Sequence, residues 1–166
     1  MTSESRDTLE HWELGLERVL PLFGHRNWIV VADSAYPAQS NPGIETIATG
    51  AGAIEVLEKT LTAIQACPHV RGNVWIDAEL RAVDEADAPG VTEFRDRLAQ
   101  RFQKENLREL EHEKIIAKLD EGGKLFRVLI LKTALAIPYT SVFIELDCGY
   151  WSAAAEKRLR DSLTNA

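Results

Sequence analysis

Two stretches of the chain place proton-transferring or hydroxyl side chains beside a short apolar run. In residues 24–37 (GHRNWIVVADSAYP), His25 precedes such a run and Asp33 follows it. In residues 137–144 (IPYTSVFI), Tyr139 and Ser141 precede another. Histidine exchanges protons near neutral pH, and carboxyl, phenol and hydroxyl groups hydrogen-bond to polar ligands. These residue types predict a site for a small polar ligand.

The surrounding residues predict helices that alternate with short buried strands. Helical spacing of apolar residues indicates a first helix from Thr8 to Leu20, and continuous β-branched residues indicate a strand from Trp28 to Ala32. Residues 79–90 are polar and predict a surface loop, and Gly122-Gly123 is expected to end a helix. Further strands are predicted at 44–48, 73–76, 125–132 and 141–146, and further helices at 54–67, 94–102, 107–119 and 151–163. We therefore predict a single layered α/β domain over residues 1–166, with a mostly parallel or mixed sheet flanked by helices.

Size and charge narrow the class of protein. The chain has 166 residues, of which 45% are hydrophobic, which suits one domain with a full core. Its formal net charge of -7 argues against nucleic acid and anionic membranes as partners. The apolar runs are far shorter than the roughly 20 residues of a membrane span, and the polar first residues lack a signal core. We predict a cytoplasmic protein.

The cysteines and histidines predict no metal site. The two cysteines, Cys67 and Cys148, have neither metal-ligand spacing nor the density of a disulfide scaffold, so reduced thiols are expected. The four histidines form no pair at the spacing of metal ligands. We expect no metal and no organic cofactor.

The two stretches resemble the signatures of the RbsD/FucU family of D-ribose pyranases and L-fucose mutarotases, over about Leu16 to Leu146. A Gly-His pair, a short gap, an Ile-Val-Val-Ala-Asp strand and an aromatic residue before proline resemble the first signature, and Pro-Tyr-Thr-Ser before an apolar strand resembles the second. The resemblance implies an RbsD-like fold and a monosaccharide substrate. It also implies His25 as the proton donor, and Asp33, His112, Tyr139 and Ser141 as sugar contacts.

Two departures from the family pattern leave the activity open. Ser141 stands where the family usually has asparagine, and residues 132–135 (KTAL) replace a basic-Thr-Gly-Glu motif, which implies a reshaped pocket wall. The individual residues also have purely structural interpretations. His25 suits a loop between a helix and a strand, Asp33 suits the cap of a turn, and Tyr139 suits the edge of the core. His112 suits a solvated helix position between two glutamates.

Interconversion of cyclic sugar forms requires one group to take the proton of the anomeric hydroxyl and another to protonate the ring oxygen. His25, Asp33 and Tyr139 supply such groups without a cofactor. The function predicted is therefore a mutarotase-like or pyranase-like isomerase. The alternatives are a non-catalytic sugar-binding or regulatory oligomeric module of the same fold, and an enzyme for another small polyhydroxylated ligand.

The spacing between His25 and Asp33 predicts an oligomer. A strand over residues 28–33 is roughly 20 Å long at about 3.3 Å per residue, so the two side chains lie near its opposite ends. They can share one sugar if the flanking loops curl inward or if two subunits bring complementary ends together. We predict a homo-oligomer with sites at subunit interfaces, as the ring-like assemblies of the family also imply.

Overall fold

Six strands form one mixed sheet in the computed structural model, which describes residues 12–102 and 107–164. The strands are β1 (Trp28–Ala32), β2 (Ile44–Ala48), β3 (Val70–Asp77), β4 (Leu107–Leu110), β5 (Val128–Lys132) and β6 (Val142–Cys148). The helices are α1 (residues 12–19), α2 (Ala53–Gln65), α3 (Val91–Arg101), α4 (His112–Leu125) and α5 (Ala153–Thr164). The predicted layered α/β fold is confirmed, and the predicted helical residues 8–11 lie outside the described residues.

The strand order is β2-β5-β1-β6-β3-β4, and β6 alone of these six runs antiparallel to its neighbours. The carboxyl ends of β1 to β5 therefore meet the start of β6 at one edge of the sheet, which we name the carboxyl edge. The opposite edge, which we name the amino edge, holds the start of β1 and the end of β6. This topology decides which polar residues can meet.

Helices cover both faces of the sheet. Side chains of α1, α2 and α3 form one hydrophobic cluster with one face, and Ile115 and Leu119 of α4 pack on the other face with Val30 and Phe143. Because the sheet is covered on both sides, all five residues of β1 are buried. Of the helices that the structure describes, none has the length and apolar character to cross a membrane.

The structure corrects four predicted elements. Residues 107–110 were expected to be helical but form β4, because their backbone pairs in parallel with residues 74–77 of β3 and this pairing outweighs the helical preference of arginine and glutamate. The strand expected from Leu125 begins at Val128 instead. The loop expected at 79–90 contains most of a 3-10 helix, Ala78–Ala82, whose Leu80 is buried in the core.

The fourth correction concerns Gly122-Gly123, which lies inside α4 and does not end it. The absence of side chains lets α4 approach the segment before β2. The Gly123 carbonyl accepts a hydrogen bond from Asn41 Nδ2 at 3.3 Å, and a Cβ atom on Gly43 would lie 2.5 Å from the same carbonyl oxygen. Close packing explains these glycines better than helix termination.

We expect Gly43→Ala to lower the free energy of unfolding by about 1–3 kcal/mol, because backbone must move to admit the methyl group. Gly24→Ala is the matched control, since a Cβ atom there meets nothing within 4 Å. It should leave stability unchanged or raise it by up to about 1 kcal/mol through the unfolded state. Urea unfolding of both variants tests this, and equal stabilities would contradict the close approach.

Candidate functional site at the carboxyl edge

Asp33 is held in one orientation where β1 ends. Its Oδ2 accepts a hydrogen bond from Ser141 Oγ at 2.8 Å, its Oδ1 accepts one from the Ala35 backbone at 2.9 Å, and its own N–H donates to Ser141 Oγ at 3.1 Å. Ser141 is only 2% exposed. The serine hydroxyl therefore orients the half-buried Asp33.

Tyr139 lies two residues before Ser141 and contacts His112. The two rings are nearly perpendicular, at 84°, and their centroids are 5.6 Å apart. Tyr139 has a φ of 58°, in the left-handed region that non-glycine residues seldom adopt. Its side chain remains partly exposed at 39%. A strained backbone thus presents an accessible phenol beside an imidazole. Backbone strain of this kind is concentrated at active sites and ligand-binding sites.

Asp77 joins this group although the sequence analysis did not single it out. It ends β3 as Asp33 follows β1, and this shared position at a strand end is the signal that could have revealed it. Its side chain is 1% exposed, and its Oδ1 lies 3.1 Å from Nδ1 of His112. The approach is short but poorly aligned, so neither Asp77 oxygen nor His112 Nδ1 has a hydrogen-bond partner among the described residues.

Burial controls the ionisation of two groups in this region. Desolvation raises the pKa of Asp77 to about 6, although His112 partly opposes the change. Desolvation, followed by the negative charges of Asp120, Asp77 and Asp33, raises the pKa of Tyr36 above its usual range. The buried Tyr36 hydroxyl is therefore neutral at physiological pH, and it too lacks a hydrogen-bond partner among the described residues.

The raised pKa of Asp77 predicts that the stability of the wild-type protein relative to an Asp77→Asn variant depends on pH. The folded state binds the Asp77 proton more tightly than the unfolded state. The contribution of this proton to the stability of the folded state is therefore fully present below about pH 4 and is lost as the pH rises through about 6. At about 1.4 kcal/mol per pKa unit, the charged form costs the fold on the order of 3 kcal/mol.

We therefore expect Asp77→Asn to gain stability relative to the wild type, by up to about 3 kcal/mol, as the pH is raised from 4 to 7. Urea unfolding of both proteins at several pH values measures the difference. A difference in stability that stays constant over this range would show that the pKa of Asp77 is not raised in the folded protein.

His25 lies at the amino edge, away from the other predicted site residues. Its exposed ring places Nδ1 2.9 Å from Oδ1 of Asp147, near the end of β6. Arg71 donates to the other oxygen of Asp147 at 2.7 Å, and this contact holds the pKa of Asp147 below its usual value. Within one chain, His25 and Asp33 therefore lie at opposite edges of the sheet.

Cavities adjoin both edges. One of about 580 Å³ is lined by His25, Arg71 and Asp147 and by residues of α5 such as Arg160. A larger one, of about 800 Å³, borders Asp77 but is otherwise walled by the 3-10 helix, α3 and β4 and contains none of the predicted site residues. The proton-transferring side chains near Asp77 and His25, and not the volume of the larger cavity, indicate where a polar ligand would bind.

In the described part of the chain, no group of three or more histidine, cysteine or acidic side chains is arranged to hold a metal ion.

These motifs lie within a region that matches a known family. The sequence profile described as the RbsD / FucU transport protein family matches residues 13–147. The chain belongs to the RbsD/FucU family. The resemblance inferred from the two signatures is confirmed, and all five predicted site residues fall inside the matched region, whereas α5 lies beyond it.

Solved structures of RbsD and FucU proteins share the fold. RbsD of Bacillus subtilis, complexed with D-ribose, is 22% identical, with a TM-score of 0.55 over 83% of this chain and 93% of its own. FucU of Bifidobacterium longum is 17% identical, with a TM-score of 0.54 over 81% and 92%. The fucose mutarotase of Streptococcus pneumoniae, in complex with L-fucose, is 16% identical, with a TM-score of 0.56 over 80% and 91%. No curated protein sequence matches this chain.

Proposed function

We propose that this protein is a monosaccharide isomerase that interconverts cyclic sugar forms by acid/base ring opening and closure, without a cofactor. Membership of the RbsD/FucU family supports a sugar ligand, as do the D-ribose and L-fucose bound by two proteins of the same fold. The observation that carries the proposal is the cluster at the carboxyl edge. There Asp33, His112 and Tyr139 lie beside buried polar atoms that lack partners within the described chain.

The roles follow from what each group can exchange with a sugar. Asp33 accepts hydrogen bonds from sugar hydroxyls, and Ser141 contributes by keeping its carboxylate in place. Tyr139 offers a phenol that both donates and accepts. His112 provides an imidazole beside the Tyr139 ring. His25 is the acid that protonates the ring oxygen, a transfer that contributes on the order of 10²–10⁴-fold to the rate.

The position of a catalytic His25 favours a site built by two subunits. Its ring belongs to the amino edge, and the sugar-binding cluster belongs to the carboxyl edge of the same chain. We therefore propose a homo-oligomer in which the amino edge of one subunit faces the carboxyl edge of the next. Light scattering at micromolar concentration should give a mass of several chains, and a strictly monomeric protein would contradict the shared site.

A second candidate function is sugar binding without catalysis. The observation that favours it is the engagement of Ser141: its hydroxyl is buried against Asp33, whereas the family usually has an asparagine at this position with a larger hydrogen-bonding group. A pocket altered in this way can retain affinity for a sugar after losing the geometry needed for proton transfer.

Proton NMR saturation transfer separates these functions. Ribose, fucose and related monosaccharides are mixed with the protein, and exchange of magnetisation between the cyclic forms of each sugar is measured. We expect at least one sugar to exchange faster with the protein than in buffer alone. Sugar lines that broaden without faster exchange would support the binding module instead, and sugars unaffected in both respects would exclude both functions for the panel.

A further inference from the structure

His25 and His112 share one arrangement although they lie at opposite edges. In each ring Nδ1 faces an aspartate oxygen, at 2.9 Å from Asp147 and 3.1 Å from Asp77. An aspartate at Nδ1 favours the tautomer that carries its proton there and leaves Nε2 free to accept a proton. The proposed reaction needs two proton-transferring groups, and the fold contains two imidazoles oriented in this way.

The environment of His112 is that of a proton-transferring residue with one accessible nitrogen. Its side chain is 34% exposed, but its Nδ1 is buried. Nε2 is therefore the nitrogen that a ligand beside Tyr139 can reach. Both carboxylate oxygens of Glu79 accept a hydrogen bond from the His112 backbone N–H, at 3.0 and 3.1 Å, which fixes the first residue of α4 in place.

Burial destabilises the charged form of Asp77 in the folded protein. It is almost fully buried, neither of its oxygens has an aligned hydrogen bond within the described residues, and Glu79 and Asp33 add like charge nearby. A buried carboxylate without such partners destabilises a protein. His112 Nδ1 lies 3.1 Å from Oδ1 of Asp77, and hydrogen bonds of this kind are often poorly aligned before a ligand is bound.

We propose that His112 is the second acid/base group of the reaction and that Asp77 is the residue that positions it. This inference rests on the proposed function and deepens it, because it assigns the base that ring opening requires. Asp77 acts through His112 and does not touch the sugar.

The proton movements balance with these two histidines. Nε2 of His112 takes the proton of the anomeric hydroxyl, and the bond between the anomeric carbon and the ring oxygen breaks as the carbonyl forms. The electron pair of the broken bond stays on the ring oxygen, which receives the Nε2 proton of the imidazolium form of His25 of the neighbouring subunit; this His25 is left neutral with its remaining proton on Nδ1, towards Asp147. Ring closure on the other face of the carbonyl reverses both transfers and restores the two side chains.

The test compares Asp77→Asn, His112→Gln and the double variant with the wild type, with whichever sugar the wild type exchanges. Glu109→Gln is the matched control, because Glu109 lies one position before β4 ends and its carboxylate is exposed and paired with Arg81. We expect Asp77→Asn to lower kcat at least about tenfold while KM changes less than about threefold. The double variant should be no slower than His112→Gln, because Asp77 acts through His112.

A second readout follows the tautomer directly. In ¹⁵N-labelled wild-type protein, the His112 signals should show the proton on Nδ1, and Asp77→Ala should remove this preference. Asp77→Asn that exchanges sugar within twofold of the wild type, or a double variant that loses a further tenfold, would overturn the positioning role alone. Wild-type protein without exchange for any sugar would overturn the proposed isomerase and this inference together.

Discussion

Replacement of His25 by alanine is expected to slow the interconversion of sugar forms by at least about 10²-fold, with little change in sugar affinity. The reason is that proton transfer by a positioned histidine contributes on the order of 10²–10⁴-fold, while the binding groups belong to the carboxyl edge. Saturation transfer measures the rate, and titration of the sugar line widths measures the affinity. An unchanged rate would remove His25 from the mechanism.

Two further variants sharpen this result. His25→Gln keeps a donor that can reach Asp147 but cannot transfer protons at neutral pH, so it should be as slow as the alanine variant. Arg18→Ala removes another exposed ion pair, between Arg18 and Glu45, and should leave the rate unchanged. A glutamine variant with wild-type activity would indicate that His25 serves only to anchor the end of β6.

Mixed oligomers test whether the site is shared between subunits. His25→Gln and His112→Gln chains are each expected to be nearly inactive alone. In an equimolar co-refolded mixture, about one quarter of the interfaces join an intact His25 to an intact His112, so about one quarter of the wild-type activity should return. A mixture that stays inactive would place both histidines of a working site on one chain.

Phe143→Ala is expected to cause one of the largest losses of stability, about 3–5 kcal/mol. Phe143 is fully buried in β6, between β1 and β3, and its ring lies 6.5 Å from that of Tyr36, measured between centroids. Its loss leaves a cavity in the cluster that supports α4 and, through α4, His112. Urea unfolding at pH 7 measures the change in the free energy of unfolding.

Leu159→Ala provides the comparison, because Leu159 in α5 is 43% exposed and contributes to neither core cluster. It should change the free energy of unfolding by less than about 0.5 kcal/mol. Phe143→Leu, which keeps most of the apolar volume, should fall between the two. If Phe143→Ala were as stable as Leu159→Ala, Phe143 could not lie in the centre of a packed sheet.

The buried strands were predictable because local composition determines them. The β1 and β2 ranges, Trp28–Ala32 and Ile44–Ala48, agree with the sequence expectation at both ends. A continuous apolar and β-branched run has few alternatives to a strand covered on both faces. The helices over Phe94 and Ile64 followed from apolar spacing in the same way.

Elements whose conformation depends on distant partners were not predictable. Residues 107–110 have side chains that suit a helix, and only the parallel register with β3 makes them a strand. Gly122-Gly123 has the composition of a helix end, but the approach of Asn41 and Gly43 keeps it within α4. In both cases the deciding contacts join segments separated by more than 20 residues.

The candidate site was predictable only in part, for the same reason. The sequence by itself determined the family and indicated His25, Asp33, His112, Tyr139 and Ser141 as residues whose chemistry suits a sugar. The tertiary structure alone decided that Ser141 orients Asp33, that Asp77 faces His112 and that His25 lies at the other edge. Residue types are local information, whereas distances between strand ends depend on strand order and direction. Because β6 runs antiparallel to β1, its start lies beside the end of β1 at the carboxyl edge, and its end lies beside the start of β1 at the amino edge.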